Sequence, residues 1–413
     1  MRLIVQKYGG TSVGNPERIR QVAERLLETQ REGCDVVAVI SAMAGVTDNL
    51  IKLARATSPQ PSERELDVLL ATGEHASIAL VAMAVNALGG KAISLTGAEA
   101  GVLTDRVHTK AKIANINPKQ IEELLSDGYI VVVAGFQGQT AEGAVTTLGR
   151  GGSDLTAIAL AGALGADACQ IFTDVEGVYT CDPRVVPGAL KMEEIAYDEL
   201  LEMAGAGSKV MQSRAVEFAK KFGVPFEVRS SFHRTAGTVA KEETANMEDV
   251  VIRGISVERQ QAKITLAGVP DAPGTASRIF SAVSAANILV DMIVQNASDQ
   301  HTTDISFTVH ESDLPRAEEL LAPVAAQIGA TRLMAQSGVA KLSVVGIGMR
   351  SHSGVAARLF DCLGAGGINI QLISTSEIKI AVVIDEADVD RAAQLTHDGF
   401  GLTRFAQAPP VKG

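Results

Sequence analysis

The sequence predicts an α/β protein: a mainly parallel sheet covered by helices on both faces, followed by a tail in which one small unit occurs twice. Two observations predict this. Across about the first half of the chain, short apolar runs alternate with segments of helical periodicity. That is the pattern of parallel strands joined by crossover helices. Beyond it, Lys263-Ile264-Thr265-Leu266-Ala267-Gly268 is echoed by Lys341-Leu342-Ser343-Val344-Val345-Gly346. Self-similarity of this kind implies two copies of one supersecondary unit.

The elements follow in order. Leu3-Ile4-Val5 reads as a buried strand with Lys7 at its end. The turn Tyr8-Gly9-Gly10-Thr11-Ser12 leads to Asn15-Pro16, a cap residue and a first-turn proline, so a helix starts there. A glycine turn of this type can aim backbone N–H groups at an anion, and the lysine adds a full charge. Val36 to Ile40 is a continuous apolar run ending in Ser41, as in a strand buried on both faces. Helical periodicity resumes from Thr47 to Ala56. Glu74 to Leu88 is the next helix candidate, which places Glu74 at a helix start, where a carboxylate complements the dipole. Lys91 to Leu95 and Ile130 to Ala134 read as strands, the second followed by Gly135-Phe136-Gln137-Gly138. Ser153 to Ala163 is helical, and Cys169 to Thr173 is a strand ending in Asp174. Ala236 to Asp249 is a polar, charged linker. In such a sheet, ligands bind at the carboxyl ends of the strands, where Lys7, Ser41, Phe136 and Asp174 all fall.

Composition narrows the function classes. The 413 residues leave room for two or three domains, and 46% hydrophobic content supports a sizeable core. A formal net charge of -11 argues against nucleic acid and anionic membranes as partners. The four cysteines, Cys34, Cys169, Cys181 and Cys362, are scattered without a C-x-x-C. Neither a disulfide framework nor a zinc site is suggested, and a reducing cytoplasm fits best. The N-terminus lacks a signal-peptide layout, and no uninterrupted apolar run looks long enough to span a bilayer.

Polar constellations gather at the strand ends. Thr146-Thr147-Leu148-Gly149-Arg150-Gly151-Gly152-Ser153-Asp154 is a glycine-rich loop opening a helix; it is not a Walker A loop, and it carries one arginine suited to a carboxylate. Thr173-Asp174 leads through Gly177-Val178-Tyr179 to Asp182-Pro183-Arg184. Gly205-Ala206-Gly207-Ser208-Lys209 sets a second lysine among glycines. Together with Lys7 to Ser12, these segments resemble the signatures of the aspartate kinases, in the amino acid kinase superfamily, and the resemblance runs the length of the chain.

The resemblance implies an α/β/α amino acid kinase domain over 1–245 that phosphorylates the side-chain carboxylate of L-aspartate with MgATP. This is the first step toward lysine, threonine and methionine. It implies Lys7, Asp154 and Lys209 as catalytic residues. Ser41, Thr47, Glu74, Arg150, Gly151, Gly152 and Ser153 would hold the substrate, with Arg150 on its α-carboxylate and Glu74 on its α-ammonium. Lys7, Tyr8, Gly9, Gly10, Thr173, Asp174, Tyr179, Arg184 and Lys209 would hold the nucleotide. No metal ligands are expected from the protein, because Mg²⁺ would be held mainly by phosphates and water. Alternatives are a kinase for another small carboxylate, such as glutamate, and a non-catalytic amino-acid sensor that kept the fold.

The repeated tail looks like two ferredoxin-like ACT domains. Gly274 to Phe280 parallels Gly354 to Phe360, and Ile288 and Ile293 match Ile368 and Ile373. Each copy reads strand, glycine turn, helix, strand, strand, helix. The second seems to borrow the strand-like Val250 to Val257, so the copies are expected at 263–337 and at 250–260 plus 338–413, the first inserted in the second. A regulatory amino acid, lysine or threonine or both, is expected at Asp271, Ala272, Pro273, Gly274, Thr275 and Ala276, with Asp291 taking its ammonium, Gln295 hydrogen-bonding, and Asn369 and Ile370 contributing. Gly346-Ile347-Gly348 imitates a dinucleotide fingerprint, but Ser351 stands at its third glycine and the repeat explains the segment. Finally, Lys241-Glu242-Glu243 must be encoded by a purine run shortly before Met247. An internal start there would yield a shorter regulatory chain, so the expected assembly is a homodimer or an α2β2 complex.

Overall fold

In this computed structural model, residues 2–207, 210–244, 251–296, 301–350, 352 and 354–403 are described. The expected roles of Lys209 and Met247 lie outside them. The chain forms two compact units. The first comprises Met1–Val178, Lys191–Ala204 and Lys209–Ala245; the second comprises Tyr179–Leu190, Gly205–Ser208 and Asn246–Gly413.

In the first unit, β1 (Arg2–Tyr8), α1 (Pro16–Arg31), β2 (Cys34–Ile40), α2 (Val46–Thr57), α3 (Glu63–Ala87) and β3 (Ala92–Leu95) come first. Next are β4 (Val102–Thr104), β5 (Ile113–Ile116), α4 (Lys119–Ser126), β6 (Ile130–Ala134), β7 (Gln137–Gln139) and β8 (Val145–Thr147). Then come α5 (Gly152–Leu164), β9 (Ala168–Thr173), β10 (Glu194–Ala196), α6 (Tyr197–Gly205), α7 (Ser213–Phe222), β11 (Phe226–Ser230) and β12 (Thr238–Lys241). The main sheet runs β10-β12-β11-β9-β1-β2-β6-β3. Only the β11–β12 pair is antiparallel. The central strands are buried along nearly their whole length, as their unbroken apolar runs require. Asn15 caps α1, its side chain accepting from the Arg18 N–H, and Pro16 opens the helix.

Three sequence expectations change. Helix α3 begins at Glu63, so Glu74 lies in mid-helix and is buried. The linker expected from Ala236 contains β12, whose residues alternate buried and half-buried, and Lys241 pairs with Glu194 at 2.6 Å. Helix α3 is also long and apolar enough to cross a membrane by length and composition. Here, however, Ile78, Val81, Ala82 and Val85 pack in the core with α1 and the sheet. A separate four-stranded sheet, β5-β4-β7-β8, was not anticipated; its strands are too short to show a period.

The second unit contains β13 (Gly254–Pro270), α8 (Thr275–Ala285), β14 (Val290–Asn296), β15 (Thr302–His310), α9 (Leu314–Ile328), β16 (Arg332–Val345), α10 (Val355–Ala365), β17 (Leu372–Thr375), β18 (Lys379–Asp385) and α11 (Val389–Gly399). They build one antiparallel sheet, β14-β15-β13-β16-β18-β17. The long strands β13 and β16 pair with each other on both sides of a register shift near Gln261. Each therefore serves both repeats, and each repeat packs its own core under its own helix pair. The segment Tyr179–Leu190 joins the second repeat's core through Cys181 and Val186, and Thr180 hydrogen-bonds His397 at 2.9 Å.

Candidate active site

The candidate site of the first unit is assembled where β1, β2, β6 and β9 end. Neighbouring strand residues point to opposite faces, and Lys7 and Tyr8 do so here. The Lys7 ammonium lies 2.6 Å from Asp154 in the first turn of α5, both side chains about one-tenth exposed. A carboxylate at that helix end is favoured by the dipole, and it holds the lysine in place. Tyr8 turns the other way. Its ring stacks on Phe172 at 4.7 Å and its hydroxyl donates to Gln6. Burial pushes its phenol pKa up. Tyr8 is only 1% exposed, so its side chain is part of the core.

The loops after β1 and β2 interleave. Ser41 N–H donates to Tyr8 O at 3.1 Å, and Ala44 N–H donates to Gly10 O at 3.1 Å. A Cβ on Gly10 would meet Ala42 O at 2.6 Å, so this crossing needs glycine. Ala42 N–H in turn donates to Glu74 Oε1 at 3.0 Å. Glu74 Oε2 is buried and has no hydrogen-bond partner among the described residues. Burial raises the carboxyl to about 7, partly offset by the Ala42 N–H. A half-satisfied buried carboxylate is set to receive a donor with positive charge. Thr47, in the first turn of α2, and Ser41 are half-buried nearby in the chain.

The glycine-rich loop passes from β8 into α5. Gly151 caps α5 with φ 72°, and a Cβ there would strike Gln212. Arg150 is exposed, its guanidinium 3.7 Å from Asp48. Gly152 and Ser153 are buried in the first turn of α5. Thr173 and Asp174 follow β9, the Thr173 hydroxyl donating to Asp174 at 3.2 Å. Tyr179 and Arg184 fall in the second unit, where Arg184 donates to Asp182 and holds that carboxyl below its usual range.

Two residues that fix this loop were not anticipated. Asp67 is fully buried on α3, two helical turns before Glu74. It accepts from the Thr147 hydroxyl at 2.5 Å, from Thr109 N–H at 3.0 Å and from His108 Nδ1 at 2.7 Å. Arg214 on α7 donates to Leu148 O at 2.7 Å and Ala111 O at 2.6 Å. Two acids seven residues apart in an apolar helix were a usable signal for Asp67. Arg214 carried none.

In the second unit, Asp271 to Gly274 form an exposed turn into α8, with Gly274 at φ 90° as the cap. Gln295 and Asn369 are exposed, and Ile370 packs on the second repeat's core. Asp291, expected to be open to a ligand ammonium, is instead paired with Lys341. Lys341 is 2% exposed and also meets Glu258 at 2.6 Å. A buried ammonium needs those carboxylates, which is why Asp291 is not free.

An amino acid kinase fold with a repeated C-terminal unit is thus defined by geometry, and comparison agrees. The profile of the Amino acid kinase family matches residues 2–230, and that of an ACT domain matches 264–322 and 342–400. An aspartokinase of Pseudomonas aeruginosa is 53% identical over 404 residues, 97% of this chain and 98% of that protein. An aspartokinase of Mycolicibacterium smegmatis is 48% identical over 407 residues, 97% of each. The crystal structure of E. coli aspartokinase III in complex with aspartate and ADP has a TM-score of 0.79 at 26% identity, covering 96% of this chain and 99% of that one. The same enzyme in complex with lysine and aspartate has a TM-score of 0.80. The chain belongs to the aspartokinase family.

Proposed function

We propose that the protein transfers the γ-phosphoryl group of ATP to the side-chain carboxylate of L-aspartate, giving 4-phospho-L-aspartate and ADP. The observation that carries this reading, within an aspartokinase fold, is the buried Lys7–Asp154 pair beside Gly9 and Gly10 at the carboxyl ends of β1 and β9. A carboxylate is already a nucleophile at neutral pH, so no general base is required. Catalysis is then positioning and charge stabilisation around an in-line phosphoryl group.

Lys7, oriented by Asp154, and Lys209 are assigned to the phosphates, with Gly9 and Gly10 as the backbone cradle. Arg150 is assigned to the substrate α-carboxylate; it is exposed and has only a 3.7 Å contact to leave. Glu74 is assigned to the α-ammonium because its Oε2 is buried without a partner among the described residues. Ser41, Thr47, Gly151, Gly152 and Ser153 would complete the substrate site, and Thr173 and Asp174 the nucleotide site. The chemistry of the donors at hand, one lysine-paired carboxylate, suits a Mg²⁺ ion held through phosphates and water, where it would neutralise charge on the transferring group.

The family structure with bound lysine motivates a second assignment. Lysine, threonine or both would inhibit by binding at Asp271 to Ala276, with Gln295, Asn369 and Ile370 contributing. A homodimer, or an assembly with a shorter chain started at Met247, and a cytoplasmic location belong to the same proposal. Coupled ADP release with aspartate, glutamate and UMP as acceptors tests the reaction. Release with aspartate alone, lost in Lys7→Met, is expected; release with glutamate but not aspartate refutes the substrate.

A further inference from the structure

Lys7 and Tyr8 divide the sheet's carboxyl edge into two sides, and the side Tyr8 faces has a cavity of its own. About 170 Å³ in volume, it is lined by Tyr8, Ser12, Arg18, Arg25, Ser231 and Arg234 among others. Arg25 is half-buried, donates to Ser230 O at 3.1 Å and lies 4.7 Å over the Phe172 ring. Arg18 donates to Thr11 O at 2.5 Å and lies 4.6 Å over the Phe232 ring. Nearby, Arg234 pairs with Glu28 and Arg229 with Glu227, while the lining Glu24 pairs with Arg20. Arg18 and Arg25 have no carboxylate partner among the described residues.

Burial first, and then the charges of Arg234 and Arg229, lower the pKa of Arg25. Gathering like charges around a small cavity is unfavourable unless something negative joins them. The hydroxyls of Ser12 and Ser231, 2.5 Å apart, belong to residues that also line it. The cavity is far smaller than the roughly 300–1,000 Å³ of a typical organic-ligand pocket.

We infer that this cavity binds a small tetrahedral oxyanion of the phosphate class, held by Arg18 and Arg25 with Ser12 and Ser231. The site is distinct from the Lys7 cradle. Ser12 lies in the single turn Gly10–Val13, so an anion there would brace the backbone that carries Gly10.

The test is a titration of the full-length protein with inorganic phosphate, followed by thermal unfolding, against chloride at matched ionic strength. A saturable rise in Tm is expected in the natural protein and in Lys7→Met. In Arg18→Gln and Arg25→Gln, loss of a charge-assisted hydrogen bond should raise the half-saturating concentration roughly tenfold or more. If Arg25→Gln does not unfold cooperatively, Arg18→Gln decides. A rise reproduced by chloride, or one unchanged in the arginine variants, overturns the inference. A rise lost only in Lys7→Met also overturns it, because phosphate would then sit in the catalytic cradle; the proposed kinase reaction would be untouched.

Discussion

Replacing Asp67 with alanine should be the most damaging single change near the candidate site that touches no proposed ligand. Its carboxylate is fully buried and serves three donors: the Thr147 hydroxyl, the Thr109 N–H and the His108 ring. The Thr147 side chain is itself fully buried, so its hydroxyl would have no water to replace the lost acceptor. Each orphaned buried donor costs about 1–3 kcal/mol, and bonds to a charged group sit at the upper end. Two such losses plus a small cavity give about 3–5 kcal/mol. Asp67→Asn keeps the shape and one oxygen, so it should cost about 1–2 kcal/mol. Urea unfolding of the three proteins measures both values. The kinetic consequence is separate. Thr147 begins the loop that carries Arg150, so Asp67→Asn should raise KM for aspartate several-fold more than KM for ATP. An Asp67→Ala protein within about 1 kcal/mol of the parent would refute the energetic argument; equal changes in both KM values would refute the positioning argument.

Glu74 gives a pH prediction. Its folded-state pKa near 7 lies above the ordinary 4.5, so the native state keeps a proton that the unfolded chain has released. This group's contribution to stability is therefore greatest at low pH and falls by about 3 kcal/mol between pH 4.5 and 7. Glu74→Gln should remove that decline in unfolding experiments at about pH 5 and 7.5; a parent-to-variant difference equal at both pH values would exclude it. Aspartate KM should also rise about tenfold per unit below pH 7, and that slope should vanish in Glu74→Gln. Arg150→Lys keeps charge but loses the planar fork. At about 2–3 kcal/mol for one bidentate pair, kcat/KM for aspartate should fall roughly 30–150-fold with KM for ATP unchanged; a raised KM for ATP with an unaltered KM for aspartate rules out the assignment. Asp291→Ala should lower stability by about 1–2 kcal/mol, since Glu258 still neutralises Lys341. The check is thermal unfolding, and no change in Tm would mean the pair is merely apposed.

Elements with continuous apolar runs or proline and glycine punctuation were legible in the sequence. β6 falls on the predicted Ile130 to Ala134, and α1 starts at the predicted Pro16. The start of α3 was misplaced because the apolar period strengthens only after Glu74. Ser62 with Glu65 three residues on was an available start signal. β12 was hidden because four residues ending in lysine read as linker. In the site, the Lys7 turn and the loop through Asp154 were legible because their chemistry is written in short segments. Asp67 was legible only through its spacing from Glu74, because its partners lie 41, 42 and 80 residues away.

The pairing of Asp291 with Lys341 has a reason the repeat itself explains. Lys263 and Lys341 occupy matched positions in the two copies, as do Asp291 and Gln371. The structure pairs them crosswise: Lys341 with Asp291, and Lys263 with Gln371 at 2.8 Å. Each lysine thus reaches the second-strand residue of the other copy, which is what a two-fold relation between the copies demands. The exchange is unequal. One side holds a buried ammonium between two carboxylates. The other holds a lysine whose pKa burial lowers, facing an amide, with Asp385 behind it on Gln371. A ligand carboxylate would find a partly uncompensated lysine only on the Lys263 side. The asymmetry of the pair therefore resides in two acid-to-amide differences: Asp291 against Gln371, and Glu258 across from Lys341 against Gln336 across from Lys263. The exposed glycine turns, Gly274 and Gly354, cap their helices at nearly the same φ, 90° and 99°, and do not distinguish the copies.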